Sequence, residues 1–216
     1  DDGSCQYTGC MDPLYVQYNS IYTINDQSEC LTLVSSSLLA LGDTHQGGII
    51  FYLDGFGGGL VIGPVDGATS ANVSTGKWGC SGTNIAGLGT DLGDGDANTT
   101  LITNSSCSSL QYAAAQCDAI TSSTSSWTQS YSDWFLPSED EMLLATLKLG
   151  SGATGTNSAG VSLDNIADFA YAQWYWVSVQ SPSSPSSQAM AVSTSAQTTA
   201  EIVKTALVRY RPVRSF

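Results

Sequence analysis

The chain has 216 residues, of which 12% are charged, and 19 Asp/Glu against 6 Lys/Arg give a formal net charge of -13. That balance argues against nucleic acid and anionic membranes as partners, since both need basic patches, and no apolar run reaches the roughly 18 residues needed for insertion across a bilayer. Ser, Thr, Asn, Gln and Gly supply the remaining polarity, which suits a secreted, extracellular, β-rich protein; with no signal peptide in view, the sequence reads as a mature or trimmed form.

Six cysteines, Cys5, Cys10, Cys30, Cys80, Cys107 and Cys117, point to disulfides in such a setting. No CxxC pair occurs and His45 is the single histidine, so a zinc site is not expected. Residues 1–30 stand apart, with Asp/Asn-rich ends around Cys5 and Cys30 that read as solvated turns before they read as calcium ligands. Residues 31–41 are an apolar, Ser-rich linker whose periodicity fits a strand or a short helix. A turn at 43–48 leads to a buried strand, Ile49 to Leu53. Asp54-Gly55 and Gly57 to Gly59 turn the chain, and Leu60 to Gly63 returns as the second arm of a hairpin.

Residues 64–108 are Gly/Asn/Thr-rich with little periodicity, and a loop of this length is functional or stapled. Cys80 and Cys107 are the expected staple. Within the loop, Asp91, Asp94 and Asp96 alternate with glycines, a pattern suited to calcium, although the spacing of an EF-hand is incomplete and a polar Asx-turn loop explains the same residues.

Ser109 to Ile120 reads as a helix with Leu110, Ala113, Ala114, Cys117 and Ile120 on one face. That placement makes Cys117 a buried thiol, with Cys107–Cys117 as the competing pairing. Asp133 to Gly150 is the best-signalled stretch. Trp134, Phe135 and Leu136 form a short buried strand and Pro137 ends it. Ser138 and Glu141 have the spacing of a capping box. Glu139, Asp140 and Glu141 suit the positive end of a helix dipole, and Met142, Leu143, Leu144, Leu147 and Leu149 make an apolar stripe ended by Gly150. A helical turn is expected over Leu163 to Ala170. Strands follow at 173–179, 189–193, 202–204 and 207–213, with a mobile or glycosylated Ser/Pro loop at 181–187. The class is α+β, with an antiparallel sheet and two main helices.

Two resemblances add to this reading. The ends of residues 1–30, Asp1-Asp2-Gly3-Ser4-Cys5, Gly9-Cys10-Met11-Asp12-Pro13 and Asp26 to Cys30, resemble the short cysteine-bounded repeat of secreted Bacteroidetes-type proteins, which implies a Cys10–Cys30 bridge and a stalk-like spacer. Further on come Gly42-Asp43 with Gly47 to Tyr52, Trp78-Gly79-Cys80, Cys117, Asp133 to Glu141, Tyr175-Trp176-Val177-Ser178 and Val208 to Arg214. In that order they resemble the C-terminal domain of the Legionella collagen-like adhesin and the related Fibrobacter paralogous domain. Phe135 stands where many members have Arg, and Val177 where they have Ser. The resemblance implies a C-type-lectin-like domain over 42–216, non-enzymatic and used in adhesion or surface display, often capping fibres. The adhesin's sulfated ligand needs positive charge and does not transfer to a chain of -13.

Several residues are candidates for a site. Lys204, Arg209, Arg211 and Arg214 hold four of the six positive charges. Arg209 and Arg211 share a strand face; the four read as an anion-binding patch, or one or more of them as half-buried partners for Asp133, Glu139 or Glu141. Trp174 and Trp176 share the opposite face from Tyr175, so one side is core and the other is the candidate to offer rings to a glycan or a subunit, with a core placement of each ring as the alternative. His45 and the 139–141 carboxylates give little support to catalysis. Two functions are expected: an adhesive module for surface glycans, or a filament subunit that assembles with copies of itself through its N-terminal segment.

Overall fold

The structure, a computed structural model, describes residues 8–11, 22–30, 39–67, 75–105, 109, 111–121 and 131–216. Cys5, Cys107, Leu110, most of the 31–41 linker and most of the 121–132 connection lie outside the described residues. In the N-terminal segment, β1 (Thr8–Gly9) and β2 (Ile24–Asn25) pair in parallel. Cys10 and Cys30 form the disulfide that the repeat resemblance implies. Asp26 is occupied by its own turn: its carboxylate accepts the Ser28 amide at 3.0 Å and the Ser28 hydroxyl at 2.5 Å, bonds that hold it below the usual carboxylate range.

The rest of the described residues is α+β, with two sheets and three α-helices. One sheet has the order β11-β5-β4-β3, from β3 (Thr44–His45), β4 (Gly48–Leu53), β5 (Gly59–Ile62) and β11 (Val213–Ser215), all antiparallel. The expected hairpin is β4–β5, with a bulge between Ile50 and Tyr52. Asp54 shapes its turn by accepting the amides of Phe56 at 2.7 Å and Gly58 at 3.0 Å. The second sheet has the order β6-β10-β7-β8-β9, from β6 (Thr75–Gly76), β7 (Trp174–Gln180), β8 (Gln188–Ser193), β9 (Thr199–Val203) and β10 (Val208–Arg209). It is antiparallel except where β10 meets β7. The expected single strand over 207–213 is therefore two short strands, one in each sheet.

The central strand β7 decides the core. Its side chains alternate: Trp176 joins a cluster with Trp78, Ile102, Ala114, Cys117 and Trp134, while Tyr175, Val177 and Val179 join another with Phe51, Met142, Ala145 and Leu149. Helices cover both faces. The expectation that one face of 174–176 remains open is therefore corrected: Tyr175 and Trp176 are fully buried, and only Trp174 is partly exposed.

The helices are α1 (Gly95–Asn104), α2 (Ala113–Asp118) and α3 (Glu139–Leu149). Two were expected. α1 arises within the stretch read as irregular because tertiary bonds outweigh its poor local propensity. Asn98 and Thr99 are buried. The Asn98 amide accepts from Gly89 N at 2.9 Å and donates to Gly89 O at 2.7 Å and Ser178 Oγ at 3.0 Å. Thr99 Oγ1 accepts from Leu136 N at 3.0 Å. The 134–136 segment is one antiparallel bridge, with Phe135 and Val213 exchanging both backbone bonds at 2.8 and 2.9 Å. Residues 163–170 form turns and no helix. The 181–187 loop is pinned, since Ser181 Oγ accepts the amides of Ser183 and Ser184 at 3.2 and 2.8 Å.

Candidate functional site

The turn that follows β5 carries the one acidic residue between Asp54 and Asp91. Gly63 N donates to Pro212 O at 2.8 Å and Gly67 N to Tyr210 O at 2.9 Å, so both ends of the turn are tied to the 210–212 backbone. Pro64 has no N–H to leave unmatched in this crossing. The result places Asp66 between Arg209 and Arg211, whose side chains leave an extended backbone on one face while Tyr210 enters the core on the other.

Asp66 is the hub. Its Oδ2 accepts from Arg209 Nη1 at 2.6 Å and from the Tyr175 hydroxyl at 2.8 Å. Its Oδ1 accepts from Arg211 Nε at 2.8 Å and from Arg211 Nη2. Three residues proposed from sequence as ligand contacts, Tyr175, Arg209 and Arg211, thus converge on a carboxylate that the sequence reading did not choose.

Their roles differ. Arg211 is 1% exposed. A guanidinium has five N–H donors, and here two reach Asp66 while the others reach Gly63 O at 3.2 Å, Ala167 O at 2.6 Å and Asp168 O at 3.2 Å. Its Cζ also lies 4.8 Å from the Phe169 ring centroid. With every donor engaged, Arg211 is a structural clamp and has nothing left for a ligand. Tyr175 is likewise internal: its hydroxyl also accepts the Ala170 amide at 3.0 Å, and burial pushes its pKa up to about 12. Arg209 is different. Its side chain is 30% exposed, and Asp66 is its one hydrogen-bond partner among the described residues.

Arg209 borders an open cleft of about 480 Å³, with Pro64, Val65, Asp66, Asp168, Ala170 and Arg211 as its other walls. Asp168 is exposed, in a left-handed backbone conformation with φ of 51°, and its carboxylate has no described partner. Asp66 and Asp168 balance the two arginines, so the cleft lining is formally neutral in a chain of -13. The cleft thus offers guanidinium donors, a carboxylate acceptor and an apolar wall of Pro64, Val65 and Ala170.

The other sequence candidates sit elsewhere. Arg214 pairs with Asp133, as one of the expected alternatives has it, and also with Gln46. Glu139 and Glu141 pair with no arginine among the described residues. Glu141 is fully buried, accepts Ser138 N at 2.8 Å and Gly93 N at 2.9 Å, and is pushed above its ordinary pKa by that burial. His45 packs edge-on against Phe216, 4.6 Å between centroids, and partial burial, then Arg214, lowers its pKa.

Asp91, Asp94 and Asp96 do not assemble a cation site. The Asp94 carboxylate accepts Asp91 N at 3.0 Å, and Asp96 lies in the first turn of α1. No three His, Cys, Asp or Glu side chains among the described residues come together as a metal site. Cys117 is a free, buried thiol, which removes the Cys107–Cys117 alternative. Cys80 is disulfide-bonded, and its expected partner Cys107 lies outside the described residues. No helix among the described residues is long and apolar enough to cross a membrane.

Asp66 was legible in one respect: a lone acid directly after a buried strand, facing a region with three arginines, is a candidate partner. The chain matches no protein-family model and has no significant match among curated proteins.

Proposed function

We propose that the chain is a non-enzymatic, extracellular binding module of a bacterial surface or fibre, which takes a sugar group in the Arg209 cleft. In this reading residues 42–216 are a C-type-lectin-like domain of the Legionella collagen-like adhesin type, and residues 1–30 are its spacer. The observation that carries it is the contrast between Arg209 and Arg211. One guanidinium is fully engaged by the fold; the other is held by a single carboxylate at the mouth of a 480 Å³ cleft. Sugar sites combine an apolar face with a few directed polar groups. Pro64 and Val65 supply the face, and Arg209 with Asp168 supplies the hydrogen bonds. The reading needs no calcium, since the cleft's own groups are Arg209 and Asp168, while the Asp94 carboxylate accepts the Asp91 amide and Asp96 lies in the first turn of α1. The Cys10–Cys30 bridge supports an oxidising, extracellular setting.

A glycan array with and without calcium, using the wild type and Arg209→Ala, tests the proposal. Calcium-independent binding that Arg209→Ala abolishes without lowering the melting temperature supports it. No bound glycan in either condition, or equal binding by the variant, sinks it. The other reading, a filament subunit joined through residues 1–30, is met by electron microscopy: a regular helical fibre would favour it.

A further inference from the structure

We propose that α3 presents a self-complementary face that pairs the chain with a second copy of itself. The proposal is independent of the sugar cleft. The apolar residues of α3, expected to form one core stripe, divide in two. Met142, Ala145 and Leu149 are fully buried. Leu143 and Leu144 are half-buried and Leu147 is 50% exposed. With Leu92 they line an open groove of about 370 Å³, edged by Asp140 and Gln197. Four leucines on one exposed groove form the kind of patch that marks an interaction surface.

The charges around the groove identify the occupant. Asp140, Leu144 and Lys148 are spaced four apart and occupy one row of the helix. The order along the row is acid, leucine, base. At 1.5 Å rise per residue, Asp140 and Lys148 lie about 6 Å to either side of Leu144. A second α3, turned end for end about a twofold axis at Leu144, brings each Asp140 opposite the Lys148 of the other copy. The same operation closes the leucines on one another and sets the two helix dipoles antiparallel. Such an interface uses one surface twice and closes as a dimer.

The supply of cations points the same way. Of the six cations, Lys204, Arg209, Arg211 and Arg214 are engaged within the fold, and Lys77 is half-buried where its backbone bridges Tyr112. Lys148 is exposed and has no partner among the described residues. It is a positive charge, available to an acidic partner, beside the one leucine-lined groove described above.

Sedimentation velocity of the full chain tests this at moderate ionic strength. There the long-range repulsion between two -13 chains is largely screened while contact pairs persist. A concentration-dependent dimer is expected. Leu144→Asp raises its dissociation constant by more than about tenfold. Asp140→Lys and Lys148→Asp each weaken it, and the two together restore it, because the swapped row is again self-complementary. Melting curves confirm that each variant is folded. A chain that stays monomeric at all concentrations, a dimer indifferent to Leu144→Asp, or a double swap that fails to restore association would each overturn the proposal.

Discussion

Glu141 accepts the amide of Gly93 at 2.9 Å while it also accepts the amide of Ser138, at 2.8 Å, in its own capping box. One buried carboxylate therefore satisfies the start of α3 and the approach to α1, 48 residues away in sequence. Both oxygens act as acceptors. Glutamine keeps one acceptor and sets an NH₂ against a backbone N–H at the other. Glu141→Gln is expected to lower stability by about 1–3 kcal/mol, the cost of a buried donor left unmatched. Urea unfolding measures it; a loss confined to a few tenths would show that the two helix starts do not depend on this residue.

Gly95 is the first residue of α1 and sits against that carboxylate. In an open helix, Gly→Ala gains up to about 1 kcal/mol. Here a methyl group would meet Glu141 Oε2 and come within 2.8 Å of the Phe135 ring. Overpacking costs about 1–3 kcal/mol, so the clash outweighs the propensity gain. Gly95→Ala is expected to melt below the wild type, and a higher melting temperature would refute this account of α1.

Asp66 and Arg209 separate stability from binding. Asp66→Ala leaves the buried Arg211 guanidinium without its counter-charge, which is expected to cost about 3–5 kcal/mol. Arg209→Ala removes a partly exposed pair worth at most about 1 kcal/mol. Chemical denaturation of the two variants side by side checks the ratio. Similar losses would mean that Asp66 is less central than its four hydrogen bonds indicate.

Lys204 predicts a pH dependence. The residue is fully buried, its Nζ donates to Thr83 O at 2.8 Å and lies 4.5 Å from the Trp78 ring centroid. Burial lowers its pKa from 10.5 to about 8. Between about pH 8 and 10 the folded chain has released this proton and the unfolded chain still holds it. Stability therefore rises with pH from about pH 8 to 9. Above about pH 9 the rise is offset, because burial raises the Cys117 thiol well above its ordinary pKa and only the unfolded chain releases that proton; above about pH 10 the trend reverses, because Tyr175 stays protonated to about 12 in the folded state only. Melting temperatures from pH 7 to about 9 are expected to climb for the wild type and to lose that climb in Lys204→Met.

The parts of the fold legible in sequence are those written in local chemistry. The β4–β5 hairpin announces itself by two apolar runs around a glycine turn, and α3 by Ser138 and Glu141. What sequence did not show depends on contacts between distant segments. α1 is built from residues with weak helix propensity and is held by Asn98 and Thr99 reaching Gly89, Ser178 and Leu136. The burial of both faces of β7 follows from helices on both sides, which no pattern within Trp174 to Gln180 reveals. The candidate site was half visible. Arg209 and Arg211 stood out by charge, but the acid between them is fixed by a turn 143 residues from Arg209.

The division of residues 208–215 between two sheets bears on when the domain acquires its structure. Val208 pairs with Gly76 and Ser215 with Leu60, and β10 sits between β6 and β7. Neither sheet is complete, and Asp66 has neither of its arginines, until this short segment has been synthesised. Long-range pairings of this kind slow folding. A nascent chain that has emerged only as far as β9 lacks the strand between β6 and β7 and the β11 edge of the other sheet, so completion of its fold waits on a few late residues.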